Sequence, residues 1–337
     1  MDNSLNEKPN RYTNRTAVLV LNWNKPELTM ESVESLDAME GEYDIFVIDN
    51  GSDENKRKKL IEEMKKKSAT ILYEKDIYGF KLDIKGINDK FYLLILLEKN
   101  YGYGKGNNYG LKLACSLGYG YSLISNNDIK IIDKNVLEEL IKGIKSNKRN
   151  AWAAPKIISY NGRQHGPYEK FDFIKYSFFV YGIFYPFYFL FKKKKYENKA
   201  ESILNMFNNE QLEPWWTIGC FIFFSNAAIE KINFFDENIF LYFEELVIAE
   251  KFKQKAFMLK YLPNISVFHE HNYGADGYNF KKKYIEINSL LYFYKNYRYY
   301  NLFKLYLAKI SMALYLLIYR PLILIAKWKK GNIKKAN

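Results

Sequence analysis

The stretch "TAVLVLNWN" (residues 16–24) decides the fold, because it starts an alternation of strands and helices. Its nearly continuous apolar run is typical of a strand covered on both faces in a parallel sheet. A helix is predicted over "KPELTMESVESLDAM", where Leu28, Val33 and Leu36 have helical spacing and Pro26 lies near the start. "YDIFVIDNGSDEN" predicts a second strand and "KRKKLIEEMKKKS" a second helix. This alternation predicts an α/β fold with an open, mostly parallel sheet flanked by helices.

Further strands are predicted downstream at "ILYEKD", "FYLLILLEKN" and "YGYSLISNNDIKI". A glycine-rich stretch, "NYGYGKGNNYG" (residues 100–110), leads into a predicted helix at "LKLACSLG", and "KNVLEELIKGIKS" predicts another helix. In open α/β sheets, ligands bind beyond the carboxyl ends of the strands. Since "DNGSD" and "NND" both follow strands, we expect a site there.

The positive charge is concentrated at the C-terminal end. The chain carries a net charge of +13, and residues 276–337 hold 13 Lys or Arg against two acids. Tyr, Phe and Trp make up 18% of the chain, which suits surfaces that meet sugar rings or a membrane interface. We therefore predict an amphipathic helical extension over 276–337 that contacts an anionic membrane surface and no nucleic acid, because its apolar content is high. A pair of dimerisation helices, and so a homodimer, is the alternative.

The number of cysteines indicates whether the protein works in a reducing or an oxidising compartment. Cys115 and Cys220 are the only cysteines, which excludes a disulfide framework and a Cys-x-x-Cys metal site and favours a reducing compartment. The polar N-terminus gives no signal-peptide pattern, and no apolar run reaches the length of a spanning helix. We expect a cytoplasmic protein, peripheral on the inner face of the cell membrane. Residues 171–191 are dense in aromatics, and two readings stay open: a buried or lid-like insertion, or an element that touches the membrane.

Three segments carry candidate chemistry. Asp49 and Asn50 could bind a base, a ribose or a metal, although an ordinary turn has the same composition. The glycine-rich stretch does not match the dinucleotide-binding fingerprint. Two readings stay open: the backbone amides of the helix that follows could face a phosphate, or the stretch could be a plain loop. Asp128 with His269 could form a mixed site for Mg²⁺ or Mn²⁺, whereas His269 and His271 could equally be a surface or capping pair.

Several segments, taken in order, resemble the family 2 glycosyltransferases of the GT-A fold, in particular the bacterial rhamnosyltransferase-like branch. They are "VLVLNWN", "VIDNGSDEN", "NYGYGKGNNYGLKLA", "SNNDIKI", "WWTIGCFIFFSNAAIEKINFFDENIFLYFEE" and "PNISVFHE". The resemblance covers residues 15–275, with a nucleotide-binding half at 15–130 and an acceptor half at 131–275. Its most specific part is the pattern FDE-x-x-F-x-Y-x-E-E, which begins at Phe235.

The resemblance implies a role for each matching position. Asp128 matches the last acid of the metal-binding Asp-x-Asp motif, and His269 matches a histidine that joins the metal or the diphosphate of the donor. Gly219 and Cys220 match a turn near the acceptor, while Trp215 and Trp216 are candidates to stack on a sugar. The nucleotide pocket would be lined by Asn22, Asp49, Asn50, Asn100, Gly102, Gly106, Asn108 and Asn127.

The acid pair Glu244–Glu245 would supply the base for an inverting, metal-dependent sugar transfer. We assign the base to Glu245 and a supporting hydrogen bond to Glu244; the reverse stays open, because adjacent helix residues point about 100° apart. The resemblance implies a UDP-hexose or dTDP-rhamnose donor and an oligosaccharide or lipid-linked acceptor in bacterial surface polysaccharide synthesis. A nucleotidyltransferase is disfavoured, since "NWNKPEL" stands where its phosphate loop would be.

The chain departs from the family pattern at several places. Asn126 replaces the first acid of Asp-x-Asp, and the acid pair is Glu244–Glu245 where the family often has Glu-Asp. Val247 replaces a common Asp, and Lys251 replaces an Arg. These departures motivate a second hypothesis, in which the protein is a catalytically impaired relative that acts as a binding or scaffold subunit at the membrane surface.

Overall fold

A computed structural model describes residues 12–81, 90–185, 193–270 and 280–319. These residues form one nine-stranded sheet. Its strands are β1 Thr16–Asn22, β2 Tyr43–Asn50, β3 Thr70–Tyr73, β4 Tyr92–Leu97, β5 Tyr121–Asn126, β6 Ile129–Ile131, β7 Asn150–Ser159, β8 Phe221–Ser225 and β9 Met258–His269. The α-helices are α1 Pro26–Leu36, α2 Glu54–Lys66, α3 Tyr103–Ser116, α4 Val136–Lys145, α5 Lys193–Asn208, α6 Asn226–Lys231, α7 Glu244–Gln254, α8 Phe280–Asn296 and α9 Leu302–Leu314.

The strand order is β3-β4-β2-β1-β5-β8-β7-β9-β6, and the first five strands are parallel to one another. β8 then pairs antiparallel with β5 and with β7, β9 runs parallel to β7, and β6 pairs antiparallel with β9. This is a mostly parallel α/β sheet flanked by helices, so the predicted fold class is confirmed. The register pairs Asn22 with Asp49 and Leu21 with Asn126, which brings the carboxyl ends of β1, β2 and β5 to one edge.

The central strands are apolar because both of their faces are covered. Ala17 to Val20 of β1 and Ile45 to Ile48 of β2 are fully buried. Val33 and Leu36 of α1 are buried in the core on one side of the sheet, as their helical spacing predicts, together with Met30. Leu28, the third residue of the predicted apolar set, is only partly buried. Leu111 and Leu113 of α3 belong to the core on the other side.

The glycine-rich stretch differs from a loop, because α3 begins inside it at Tyr103. A Cβ on Gly110 would come within 2.7 Å of Ile48, and one on Gly106 within 3.0 Å of Asn50 and Leu21. The absence of side chains here lets α3 pack directly on β1 and β2. Gly102 precedes the helix with φ of 85°, and a Cβ there would meet the Phe240 carbonyl oxygen at 2.2 Å.

The chain forms two compact units. The first comprises the described residues up to 169 and from 207 to 270, and the second comprises those in 170–206 and 280–319. In the second unit the Ser177 hydroxyl donates to Tyr294 at 2.9 Å, and Ser311 donates to the Ser177 carbonyl at 3.0 Å. The predicted boundary at residue 275, and the halves at 15–130 and 131–275, stay predictions.

The aromatic segment at 171–191 is described as far as residue 185 and includes a π-helix at Lys175–Val180. Phe171 is buried against Phe293 and Tyr294, whereas Ile174 and Phe184 are exposed. Both earlier readings of this segment therefore stay open. Among the residues that the structure describes, none of the helices has the length and apolar character needed to cross a membrane.

Candidate active site

The carboxyl ends of β1 and β2 are joined by a buried polar network. The Asn22 amide donates to Asp49 Oδ1 at 2.8 Å, and Arg57 Nε donates to Asp49 Oδ2 at 2.7 Å. The Ser52 hydroxyl also donates to Asp49, and Thr29 Oγ1 donates to Asn22 Oδ1 at 2.8 Å. Because Asn22 and Asp49 are fully buried, both side chains stabilise this strand edge. Their contact with a nucleotide stays a prediction.

A second network connects the end of β2 with the start of α3. Asn50 Nδ2 donates to Asn100 Oδ1 at 3.2 Å and to the Gly102 carbonyl at 3.0 Å, while its Oδ1 accepts from the Tyr101 amide. The Tyr103 amide, at the first turn of α3, donates to the Phe240 carbonyl at 2.9 Å. The Tyr103 amide therefore already has a hydrogen-bond partner within the protein. The predicted phosphate contact would have to come from other backbone amides in the first turn of α3.

Asn108 of α3 fixes the segment that leads to the acid pair. Its amide donates to the Phe235 carbonyl at 3.0 Å and to Glu237 at 3.2 Å, and its Oδ1 accepts from the Phe235 amide. Asn108 is buried, and these hydrogen bonds give it a structural role. Its place in the lining of a nucleotide pocket stays a prediction. Asn127 is partly exposed, and its amide donates to Thr29 Oγ1 at 3.0 Å.

Asp128 and His269 meet as the sequence predicts. Asp128 follows β5 and His269 ends β9, and His269 Nε2 lies 3.1 Å from Asp128 Oδ1. His269 is buried, whereas Asp128 is partly exposed. The described residues contain no group of three or more His, Cys, Asp or Glu side chains placed to hold a metal ion. Among the His, Cys, Asp and Glu side chains that the structure describes, a metal here would therefore have Asp128 and His269 as ligands.

The acid pair begins α7, the helix over Glu244–Gln254. Tyr242 and Phe243, just before it, both have positive φ, at 72° and 66°. Left-handed backbone at two bulky residues costs free energy, and such strain is common at functional sites. Glu244 is only 5% exposed, and its Oε2 has no hydrogen-bond partner among the described residues. Burial, together with the charge of Glu245, raises the pKa of Glu244 well above its ordinary value.

Glu245 is partly exposed and lies against the turn that contains Gly219. Its Oε1 accepts a hydrogen bond from the Gly219 amide at 2.9 Å. A Cβ at position 219 would come within 2.8 Å of that oxygen, so the contact requires glycine. Burial raises the pKa of Glu245 as well, although its backbone hydrogen bonds oppose that rise. The structure thus brings Glu245 and Gly219 together, and their roles at an acceptor stay predictions.

Tyr103 is a site residue that sequence reasoning missed. Its hydroxyl donates to the Gly219 carbonyl at 2.5 Å, and Gly219 in turn donates to Glu245. Burial raises the pKa of the Tyr103 phenol, and the charges of Glu244, Glu245 and Asp128 raise it further. Since 116 residues separate Tyr103 from Gly219, no local pattern could reveal the contact.

The predicted acceptor residues form a short segment before β8. Trp216 stacks on Tyr168 with ring centroids 4.2 Å apart, and Lys253 Nζ lies 4.9 Å from the Trp215 ring centroid. Both tryptophans are partly exposed, and Cys220 is buried. Stacking of either tryptophan on a sugar stays a prediction.

Two positions that depart from the family pattern, Val247 and Lys251, both have structural roles. Val247 is buried in the core, which leaves no room for a solvated carboxylate at that position. Lys251 Nζ donates to the Phe234 carbonyl at 2.5 Å and to the Asn233 carbonyl at 3.1 Å. Burial lowers the pKa of Lys251 to about 8. Lys251 therefore supports the segment before the acid pair.

Glu244→Gln is expected to stabilise the protein at high pH. Between pH of about 4.5 and the raised pKa of Glu244, the folded chain keeps a proton that the unfolded chain has released. The free energy of unfolding therefore falls as pH rises through this range. Removing the buried charge should add about 1–3 kcal/mol to the free energy of unfolding at alkaline pH. Thermal unfolding at acidic and alkaline pH measures the gain. The exposed Glu54→Gln is the control, and an equal gain at both pH values would contradict the assignment.

For the sugar transfer that the sequence resemblance implies, Tyr103→Phe is expected to lower turnover about tenfold, because the turn that orients Glu245 loses a hydrogen bond. The donor KM should change little, since Tyr103 acts through Gly219. Tyr109→Phe is the matched control: it lies on the same helix and loses a hydroxyl bonded to Glu74 at 2.6 Å. Thermal unfolding should show a similar loss of about 1 kcal/mol for both variants. Equal effects of the two variants on turnover would contradict a positioning role for Tyr103.

Comparison with known proteins shows the fold. No family model matches the sequence, and neither does any curated protein. A structure titled S. aureus TarS 1-349 is 16% identical, with a TM-score of 0.47 over 85% of this chain and 73% of that one. A longer structure of S. aureus TarS is also 16% identical, with a TM-score of 0.46 over 85% of this chain and 44% of that one.

GalNAc-T7 with UDP, GalNAc and Mn²⁺ is 12% identical, with a TM-score of 0.54 over 84% of this chain and 49% of that one. This chain thus spans about half the length of GalNAc-T7 and less than half of the longer TarS structure. Together with the sheet order, the GalNAc-T7 likeness shows that this chain has a GT-A-like fold.

Proposed function

We propose that this protein is a nucleotide-sugar glycosyltransferase. The observation that carries the proposal is the acid pair at the start of α7, where Glu245 is fixed by Gly219 beside Tyr103. A buried glutamate beside a second, partly exposed one destabilises a fold, so the presence of this pair at a strained helix start points to a chemical role. The GT-A-like fold supports the same class, because GalNAc-T7, which shares this fold, was solved with UDP, GalNAc and Mn²⁺.

Glu245 is the base in this proposal. It takes the proton of the acceptor hydroxyl while that oxygen bonds to the anomeric carbon of the donor, and the nucleotide diphosphate leaves with the electron pair of the broken bond. Burial raises the pKa of Glu245, which makes it a stronger base than an ordinary glutamate. Glu244, buried and with Oε2 unpaired within the described chain, stays protonated in the catalytic form and limits repulsion within the pair.

Asp128 and His269 are the residues that would hold Mg²⁺ or Mn²⁺. Their 3.1 Å contact joins a carboxylate oxygen and an imidazole nitrogen, a donor set that suits Mn²⁺ and is acceptable for Mg²⁺. Two protein ligands fit these ions, since both keep waters and bind substrate phosphates. When bound, the ion would offset negative charge on the diphosphate. Mn²⁺ and UDP are present in the GalNAc-T7 structure, which supports this choice.

The donor, acceptor and location follow from the resemblance in sequence. We propose UDP-hexose or dTDP-rhamnose as the donor, with transfer by inversion. The acceptor in this proposal is an oligosaccharide or a lipid-linked glycan of bacterial surface polysaccharide synthesis. The protein would then work in the cytoplasm, at the inner face of the cell membrane. Trp215 and Trp216 are partly exposed and offer aromatic faces for a sugar ring.

A scaffold role is the second candidate. The buried Val247 and the structural contacts of Lys251 favour it, because neither position has the chemistry that the family pattern places there. A scaffold would bind a membrane or a partner without turning over a nucleotide sugar.

Titration calorimetry with UDP and dTDP, in the presence and absence of Mn²⁺, tests the proposal. We expect one of these nucleotides to bind and its affinity to rise with the metal, whereas ADP should bind weakly or not at all. If neither UDP nor dTDP binds under any metal condition, the glycosyltransferase proposal fails and the scaffold role gains support.

A further inference from the structure

One face of α9, the helix over Leu302–Leu314, is apolar and exposed. Leu302 is 82% exposed, Phe303 69% and Tyr306 64%. With about 100° between successive residues, these side chains share one face of the helix. The same face continues through Leu307, Ile310, Ala313 and Leu317. Ala308 and Met312 lie on the opposite side and are fully buried, so the helix is anchored by its other face.

A basic residue borders this apolar face. Helical geometry places Lys309 just beyond the edge of the stripe that Leu302 marks, and Lys309 is exposed. In the sequence, residues 299–337 contain eight Lys or Arg and no Asp or Glu. An apolar stripe with a lysine at its edge, in a basic part of the chain, is the pattern of a helix that lies in a membrane interface, where lysine stems extend toward the headgroups.

We propose that the exposed face of α9 docks in the plane of an anionic lipid membrane. Its apolar side chains would enter the boundary between headgroups and acyl chains, and its lysines would contact anionic headgroups. The inference goes beyond the proposed enzyme activity and does not depend on it. Because this part of the chain has no acidic residue, the same face of a second copy would bring like charges together. Charge complementarity therefore favours lipid over self-association.

Flotation of the full chain with vesicles tests this surface without any nucleotide or acceptor. Vesicles of phosphatidylcholine are compared with vesicles that also contain phosphatidylglycerol, and we expect binding mainly to the latter. Lys309→Gln should weaken that binding about fivefold. Phe303→Ser with Ile310→Ser should weaken it at least about tenfold.

Tyr78→Ser is the matched control, because Tyr78 is 87% exposed in the other unit, and it should leave binding unchanged. Circular dichroism confirms that the variants fold. Equal binding to both vesicle types, no binding to either, or no effect of the Phe303 and Ile310 substitutions would overturn the proposal. A dimer in solution that dissociates on those substitutions, without vesicle binding by the unaltered protein, would assign the face to self-association instead. None of these readouts depends on whether the protein transfers a sugar.

Discussion

Glu245→Gln is expected to lower the rate of sugar transfer by about 10²–10⁴-fold while nucleotide binding stays nearly unchanged. Glutamine keeps the size of the side chain and can still accept the hydrogen bond from the Gly219 amide, which is 2.9 Å long in the unaltered protein. It cannot take a proton from the acceptor. The loss should therefore appear in kcat rather than in the donor dissociation constant.

The pH profile gives an independent readout of the same residue. Turnover of the unaltered protein should fall as pH drops through the raised pKa of Glu245, above the ordinary glutamate value of about 4.5. Residual activity of Glu245→Gln should lack this acidic limb. Glu54→Gln is the matched control, because Glu54 also lies in the first turn of its helix but is exposed. Unaltered turnover by Glu245→Gln would exclude Glu245 as the base.

Asp128→Asn is expected to reduce metal-dependent turnover by on the order of a hundredfold or more. The substitution removes the one carboxylate that contacts His269, and a neutral amide is a weaker ligand for a hard divalent cation. Electron paramagnetic resonance of free Mn²⁺ measures binding directly, without an enzyme assay. In the presence of UDP, we expect the unaltered protein to deplete the free-ion signal and the variant to leave it nearly intact.

Asp76→Asn is the control for this substitution, since Asp76 is exposed in the first turn of the 3₁₀ helix at Glu74–Gly79. It should bind Mn²⁺ like the unaltered protein. Equal Mn²⁺ binding by Asp128→Asn and the unaltered protein would contradict the assignment of Asp128 as a metal ligand.

Local patterns in the sequence predicted the fold class because they report burial and periodicity. The apolar run of β1, the helical spacing of α1 and the apolar run of β2 each follow from side chains that face the core. The start of α7 was also predictable, since the acid pair precedes an apolar helical run. The pairing of β8 with β5 could not be predicted from the sequence, because no local pattern specifies which distant strand a strand will pair with.

The site was predictable in composition but not in its contacts. Asp128 and His269 were predicted to meet, and they do, at the ends of two different strands. The burial of Asp49 and the full use of its oxygens by Asn22, Ser52 and Arg57 were not foreseen, because they depend on three-dimensional packing. The glycines of α3 show the same limit. They suggested a ligand loop, whereas Gly106 and Gly110 permit close packing of a helix on the sheet.

The most direct test of the central claim is a donor panel assayed for released nucleotide, with an oligosaccharide acceptor and either Mn²⁺ or Mg²⁺. We predict metal-dependent release of UDP or dTDP by the unaltered protein and a sugar added to the acceptor, seen by mass spectrometry. Glu245→Gln should form both products about 10²–10⁴-fold more slowly. Absence of nucleotide release and of sugar transfer by the unaltered protein across the whole panel would contradict the account.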